Sequence, residues 1–134
     1  MALQLEIVSP EKLLLSKAVE MVVIPAAEGE MGVMQSHAPM LLLLRGGVIG
    51  IVENGQVTER LFVAGGFAEI TPERCTVMAD EAIPVGEVSR IVGEQRLNEA
   101  TAALEAVDKM DVDAINAVMD RIQSARAMVD AAGV

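Results

Sequence analysis

The residues that most often carry acid–base, nucleophilic or metal chemistry are scarce in this sequence, which has one histidine and one cysteine. His37 stands in Gln35-Ser36-His37-Ala38-Pro39, a turn rather than a helix face, and no second histidine can join it in a metal site or a Ser-His-Asp relay. It reads as a hydrogen-bonding loop residue. Cys75 can form neither an internal disulfide nor a multi-cysteine zinc site, which suits a reducing cytoplasm, and it reads as a small core residue. Glu28-Gly29-Glu30 brings two carboxylates together, but a cation-binding loop needs a larger set of oxygens, so the pair reads as an exposed acidic turn. Ala64-Gly65-Gly66-Phe67 has neither the Gly-Lys-Ser/Thr ending of a phosphate loop nor a helix after it, and is expected to be a hairpin turn. With no nucleophile–base pair and no ligand set, no catalytic residue, cofactor or metal is expected.

The bulk properties narrow the choice of partners. A formal net charge of −10 disfavours nucleic acid, whose binding draws on Lys and Arg neutralising phosphates. Phe62 and Phe67 are the only aromatic residues, too few for a base-stacking platform, so the core must be aliphatic. The N-terminus lacks the basic start and apolar run of a signal peptide. The longest apolar stretch, Met40 to Val52, is broken by Arg45-Gly46-Gly47 and falls short of the roughly 20 residues that cross a bilayer. Direct membrane insertion is therefore not expected, and membrane association must come through a partner. Met31, Met34, Met40 and Leu41 to Leu44, with Met110, Met119 and Met128, amount to more adaptable apolar surface than a monomer of this size should expose.

The elements that position these residues change in kind near residue 86. All five prolines and nine of the eleven glycines lie at or before Gly86, and ten alanines follow it. Two domains are expected: 1–86, built of strands, and 87–134, built of helices, with Pro84-Val85-Gly86 as the linker. Leu3, Leu5 and Ile7 alternate with Gln4 and Glu6, and Val19, Met21 and Val23 are read as a second inward face. Asn54-Gly55 between two apolar runs predicts a type I′ hairpin, and Thr71-Pro72-Glu73 predicts another turn. Many short strands without helix-length crossovers favour a sandwich or barrel over a parallel sheet. After residue 86, apolar positions from Val88 to Val107 and from Val112 to Val129 recur at helical spacing. Asp108-Lys109-Met110-Asp111 allows only a tight reversal, with Asp111 or Asp113 as a helix cap, so the pair should form an antiparallel hairpin.

Three stretches carry a resemblance to a known family. Ile7-Val8-Ser9-Pro10-Glu11-Lys12 leads to Val19-Glu20-Met21-Val22-Val23-Ile24-Pro25. Glu28-Gly29-Glu30-Met31-Gly32-Val33 is closed by His37-Ala38-Pro39-Met40-Leu41. Phe62-Val63-Ala64-Gly65-Gly66-Phe67 is followed by Val77-Met78-Ala79-Asp80. In combination and order they resemble the epsilon subunit family of bacterial F-type rotary ATP synthases, whose mitochondrial counterpart is called delta. The resemblance implies a flattened antiparallel β-sandwich of about ten strands followed by a two-helix hairpin. It also implies a non-catalytic rotor part of the central stalk, at the cytoplasmic face of the inner membrane. Glu28, Gly29 and Glu30 would face the membrane rotor ring of c subunits, and His37, Ala38, Pro39, Met40 and Leu41 would face the gamma subunit.

Other positions depart from the family pattern. Many bacterial relatives bind ATP through Ile/Leu-Asp-x-x-Arg-Ala where the first helix begins, but here the residues are Val88-Ser89-Arg90-Ile91-Val92-Gly93, without the acidic and basic partners. Some relatives restrain hydrolysis by extending the helices, aided by basic residues, toward an acidic part of the alpha/beta catalytic hexamer. Residues 87–134 carry nine acidic and five basic side chains, so that aid is largely absent. The residues alone leave open a free-standing adaptor domain and, less readily, a small enzyme; the resemblance favours a subunit of a multiprotein machine.

Overall fold

The computed structural model describes residues 2–133. The outermost residues of the two expected domains, Met1 and Val134, lie outside the described residues.

Strand β1 (Leu3–Val8) buries Leu3, Leu5 and Ile7 and turns Gln4, Glu6 and Val8 outward, as its alternation demands. It is followed by β2 (Leu13–Val19), β3 (Met21–Ala26), β4 (Gly29–Met34) and β5 (Met40–Leu44). Then come β6 (Gly47–Glu53), β7 (Gln56–Val63), β8 (Gly66–Ile70), β9 (Arg74–Met78) and the short β10 (Ala82–Pro84). One layer runs β10-β7-β6-β3-β4 and the other β5-β8-β9-β1-β2, joined at a corner by the single pair Ala26–Leu44. The inner faces meet in one aliphatic core that includes Val22, Ile24, Ile49 and Ile51 from the first layer and Leu5, Ile7, Ile70 and Val77 from the second. β1 and β9 run parallel while the other pairings are antiparallel.

Asn54 (φ 53°) and Gly55 (φ 75°) form the expected left-handed turn between β6 and β7. Two expectations need correction. Gly65-Gly66 is not a hairpin turn, because β8 pairs with β5 and β9 rather than with β7, and the chain crosses there from one layer to the other. A Cβ on Gly66 would stand 2.1 Å from the Met78 carbonyl oxygen, so the crossing needs glycine for close backbone approach. In β3, Val22 and Ile24 face the core, and Met21 and Val23 lie half-buried on the opposite face. Every residue from Met21 to Ile24 is apolar, so alternation could not tell the two faces apart.

Cys75 is fully buried, and burial pushes its thiol up to about 11, which keeps it protonated and inert. After a single 3-10 turn at Val85–Glu87, helix α1 (Arg90–Ala106) is capped by Ser89, whose hydroxyl accepts from the Val92 N–H at 3.2 Å. Val88, expected to open the helical periodicity, is extended and packs against the sandwich. Helix α2 (Val112–Ala132) is capped by Asp111, which accepts from the Ala114 N–H at 3.0 Å. A Cβ on Gly93 near the start of α1 would lie 3.0 Å from Val129 near the end of α2, so the helices are antiparallel and close at that end. Among the described residues no helix is long and apolar enough to cross a membrane.

Across the open edge of the sandwich, Lys17 of β2 reaches Glu53 of β6 at 2.9 Å and Glu59 of β7 at 3.4 Å, while the Thr58 hydroxyl donates to Glu53 at 2.6 Å. These bonds hold the Glu53 carboxyl below its ordinary range, the Thr58 hydroxyl first and Lys17 second. A carboxyl whose folded pKa is depressed adds stability above its unfolded value and loses it as pH falls through the folded one. Glu53→Gln should therefore flatten the acid limb of the stability–pH curve, as read from urea midpoints at stepwise pH. A limb as steep as the parent's would show that this trio does not carry the acid sensitivity.

Candidate partner-binding surface

The acidic turn lies where β3 folds back into β4. Gly29 has φ 141°, in the region that favours glycine, and no atom lies within 4 Å of where its Cβ would stand. Glu28 and Glu30 are exposed on either side of it. The base of the turn is stitched to its neighbours. The Ala27 N–H donates to the Leu43 carbonyl at 2.9 Å, and the Arg45 N–H donates to the Pro25 carbonyl at 2.9 Å.

His37 occupies the connection between β4 and β5. Ser36, at φ 70°, donates its N–H to the Pro72 carbonyl at 2.6 Å and ties this loop to the β8–β9 turn. The His37 N–H donates to the Met34 carbonyl at 3.3 Å. Its Nδ1 lies 2.8 Å from the Ala38 carbonyl oxygen, a contact that requires the proton on Nδ1. The ring is half-buried, whereas Ala38, Pro39, Met40 and Leu41 are exposed. The geometry fixes a loop shape and leaves the apolar residues outside.

From this loop, β5 runs directly to the base of the acidic turn, about 13 Å for its five residues. Leu42 and Leu44 face the core; Leu41 and Leu43 point outward at 69% and 57% exposure. Leu43 begins a row across the outer face of its layer. It is opposite Phe67, Phe67 is opposite Met78, Met78 is beside Val8, and Val8 is opposite Leu13. Phe67 is 50% exposed and Leu13 53%. The next row of the same face is polar beyond Leu41, with Glu69, Thr76, Glu6 and Ser16 in register. Sequence reasoning found Leu41 and flagged Leu41 to Leu44 as a group, but it missed Phe67 and Met78. In Phe67-Ala68-Glu69-Ile70 the outward positions are Phe67 and Glu69, and an aromatic residue sharing a face with a carboxylate was the available signal.

The stretch Val88 to Gly93 serves the fold. Ser89 is spent as the cap, Arg90 pairs with Glu94 at 3.1 Å, and Ile91 is exposed. Val88 and Val92 pack with Phe62 and Met128 between hairpin and sandwich, and a Cβ on Gly93 would press on Val129. Among the described residues no group of three or more His, Cys, Asp or Glu side chains is arranged to hold a metal ion.

The sequence model of the ATP synthase delta/epsilon chain β-sandwich domain matches residues 2–85. A protein named ATP synthase epsilon chain from Granulibacter bethesdensis is 66% identical over 128 residues, covering 96% of this chain and 95% of that one. Its namesake from Gluconacetobacter diazotrophicus is 48% identical over 133 residues, covering 99% and 94%. Among solved structures, a chain of the Euglena gracilis mitochondrial ATP synthase OSCP/F1/c-ring assembly superposes with a TM-score of 0.77 at 21% identity, covering 97% of this chain and 81% of that one. A chain of the Tetrahymena thermophila mitochondrial ATP synthase central stalk and c-ring superposes with a TM-score of 0.67 at 13% identity, covering 98% and 97%. At these identities the structural likeness is one of fold.

Proposed function

The chain belongs to the delta/epsilon chain family of ATP synthases, and from that premise we propose that it is a non-catalytic rotor subunit of the central stalk. In this reading it links gamma to the membrane rotor ring and so couples proton flow to ATP synthesis. The observation that carries the reading is β5, one hydrogen-bonded strand that joins the two segments the family resemblance assigns to partners. His37, Ala38, Pro39, Met40 and Leu41 would face gamma, and Leu43, Phe67 and Met78 would extend that contact. Glu28, Gly29 and Glu30 would face the c subunits. Residues 1–86 would form the partner-binding domain and 87–134 the helical domain, whose contact with the alpha/beta hexamer would be weak. The chain would sit at the cytoplasmic face of the inner membrane, held there by the complex.

Replacing Met40 and Leu41 together by Asp tests the assignment. Both side chains are exposed in the isolated chain, so the variant should fold. Charge placed in a dry contact costs on the order of several kcal/mol, so the variant should fail to bind gamma, and membranes carrying it should hydrolyse ATP but pump protons poorly. Unchanged affinity for gamma would show that the contact lies elsewhere. Intact coupling in membranes that lack the chain altogether would defeat the functional reading itself.

Regulation by nucleotide is expected to be weak. Ser89 and Val92 stand where ATP-binding relatives have Asp and Arg, and charge-assisted hydrogen bonds are roughly twice as strong as neutral ones. Calorimetric titration of the isolated chain with MgATP should show no micromolar binding. Deleting residues 87–134 from the assembled enzyme should raise ATP hydrolysis little, because an acidic hairpin is repelled by an acidic target. Micromolar binding would refute the first expectation, and a large rise in hydrolysis the second.

A further inference from the structure

The corner between β5 and β6 supports the acidic turn, and one side chain of α2 completes that corner. Gly46 is buried, and the strands leave both its backbone groups to the Gln123 side chain. The Gly46 N–H donates to Gln123 Oε1 at 2.9 Å, and Gln123 Nε2 donates to the Gly46 carbonyl at 2.7 Å. The amide thus takes the place of a paired strand residue, meeting donor and acceptor together. The approach is close: a Cβ on Gly46 would stand 2.5 Å from the Ser124 Cα. On the other side of the corner, a Cβ on Gly47 would stand 2.7 Å from the Pro25 ring, and the Arg45 N–H is bonded to the Pro25 carbonyl. Pro25 is in register with Glu30, and the Ala27 N–H is bonded to the Leu43 carbonyl two residues before Arg45.

We infer that Gln123 is a positioning residue for the Glu28–Glu30 turn: it fixes the β5–β6 corner from which the turn is hung, so hairpin docking and turn geometry are set together. The inference rests on the proposed ring-facing role of that turn for its functional meaning, but not for its structural content. If Gln123 releases Gly46, two buried backbone groups lose their partners, and the corner must move to rewet them. The bonds Arg45–Pro25 and Ala27–Leu43 are the next to open. Glu30, Arg45, Arg126 and Asp130 line the cleft between the turn base and α2, so a shift of the corner also rearranges charges beside Glu30.

Amide hydrogen exchange on the full chain tests this. Gln123→Leu keeps the shape and removes both bonds, and it should speed exchange at Arg45 and Ala27 by about tenfold or more while leaving the β8–β9 amides unchanged. Gln123→Glu keeps the oxygen that accepts from Gly46 but sets a second, charged oxygen against the Gly46 carbonyl, so it should speed exchange at the same two amides at least as much. Parent-like rates at Ala27 and Arg45 in both variants would overturn the inference, as would an increase spread evenly over β8 and β9 in the leucine variant. Coupling measured with Glu28→Ala and Glu30→Ala together separates the two claims. If that pair leaves coupling intact while Ala27 and Arg45 still respond to Gln123, the ring-facing reading falls and the clamp stands. If the pair uncouples the enzyme and the amides ignore Gln123, the reading stands and the clamp falls.

Discussion

Both layers of this protein depend on the corner where β3 stops pairing with β6 and meets β5. β3 pairs with β6 from Met21 to Val23 and with β5 only at Ala26, so Ile24 and Pro25 have no strand partner on that edge. A proline there costs no ladder hydrogen bond, which is why a strand in the middle of its layer can carry one. Its carbonyl accepts from Arg45, and its ring fills the space that a side chain on Gly47 would need. Proline and glycine are both poor strand residues, yet their fit to each other lets one continuous strand serve two layers.

The neighbouring glycine does a different job. Gly46 has no side chain because α2 passes over its backbone, and Gln123 supplies the hydrogen bonds that a strand would otherwise give. A second tie lies on the other side of β7, just before β10, where Arg96 of α1 holds Glu81 through paired contacts. The pairing with Glu81 raises the guanidinium pKa above its already high value, so the arginine end of this tie stays charged at any ordinary pH. Phe62 of β7 is fully buried with Met128 and Ala131 beneath the hairpin. One aromatic ring therefore anchors helices to sheet, and the two polar contacts set their register.

Much of this was legible in the sequence because local physics decided it. Leu3, Leu5 and Ile7 alternate with polar residues, Asn54-Gly55 demands a left-handed turn, and Asp111 caps a helix after a reversal too short for anything else. The failures share one cause, namely that the deciding partner is distant in sequence. Gly65-Gly66 looks like a hairpin until Met78, twelve residues on, is seen to crowd Gly66. In β3 both faces are apolar, so only the position of the core reveals which one is inside. Of the candidate site, the acidic turn and the His37 loop were visible as motifs. The outward row through Phe67 and Met78 was not, since it exists only once five strands are aligned.

That row also limits how the proposed joint with gamma can work. Burying a Leu, Phe or Met side chain fully contributes about 1.5–3 kcal/mol, and side chains already half-covered contribute about half of that. Leu41, Leu43, Phe67, Met78 and Leu13 together would then supply about 4–8 kcal/mol. Association itself costs about 4–15 kcal/mol in lost freedom. The apolar row therefore does little more than offset that cost, and a joint that carries torque needs further contacts that add no ordering penalty. The His37–Met40 loop fits this requirement, because Ser36 bonded to Pro72 and His37 bonded to Met34 and Ala38 hold it in shape before any partner arrives. Preorganisation of the loop, rather than the area of the row, is what would make the contact tight.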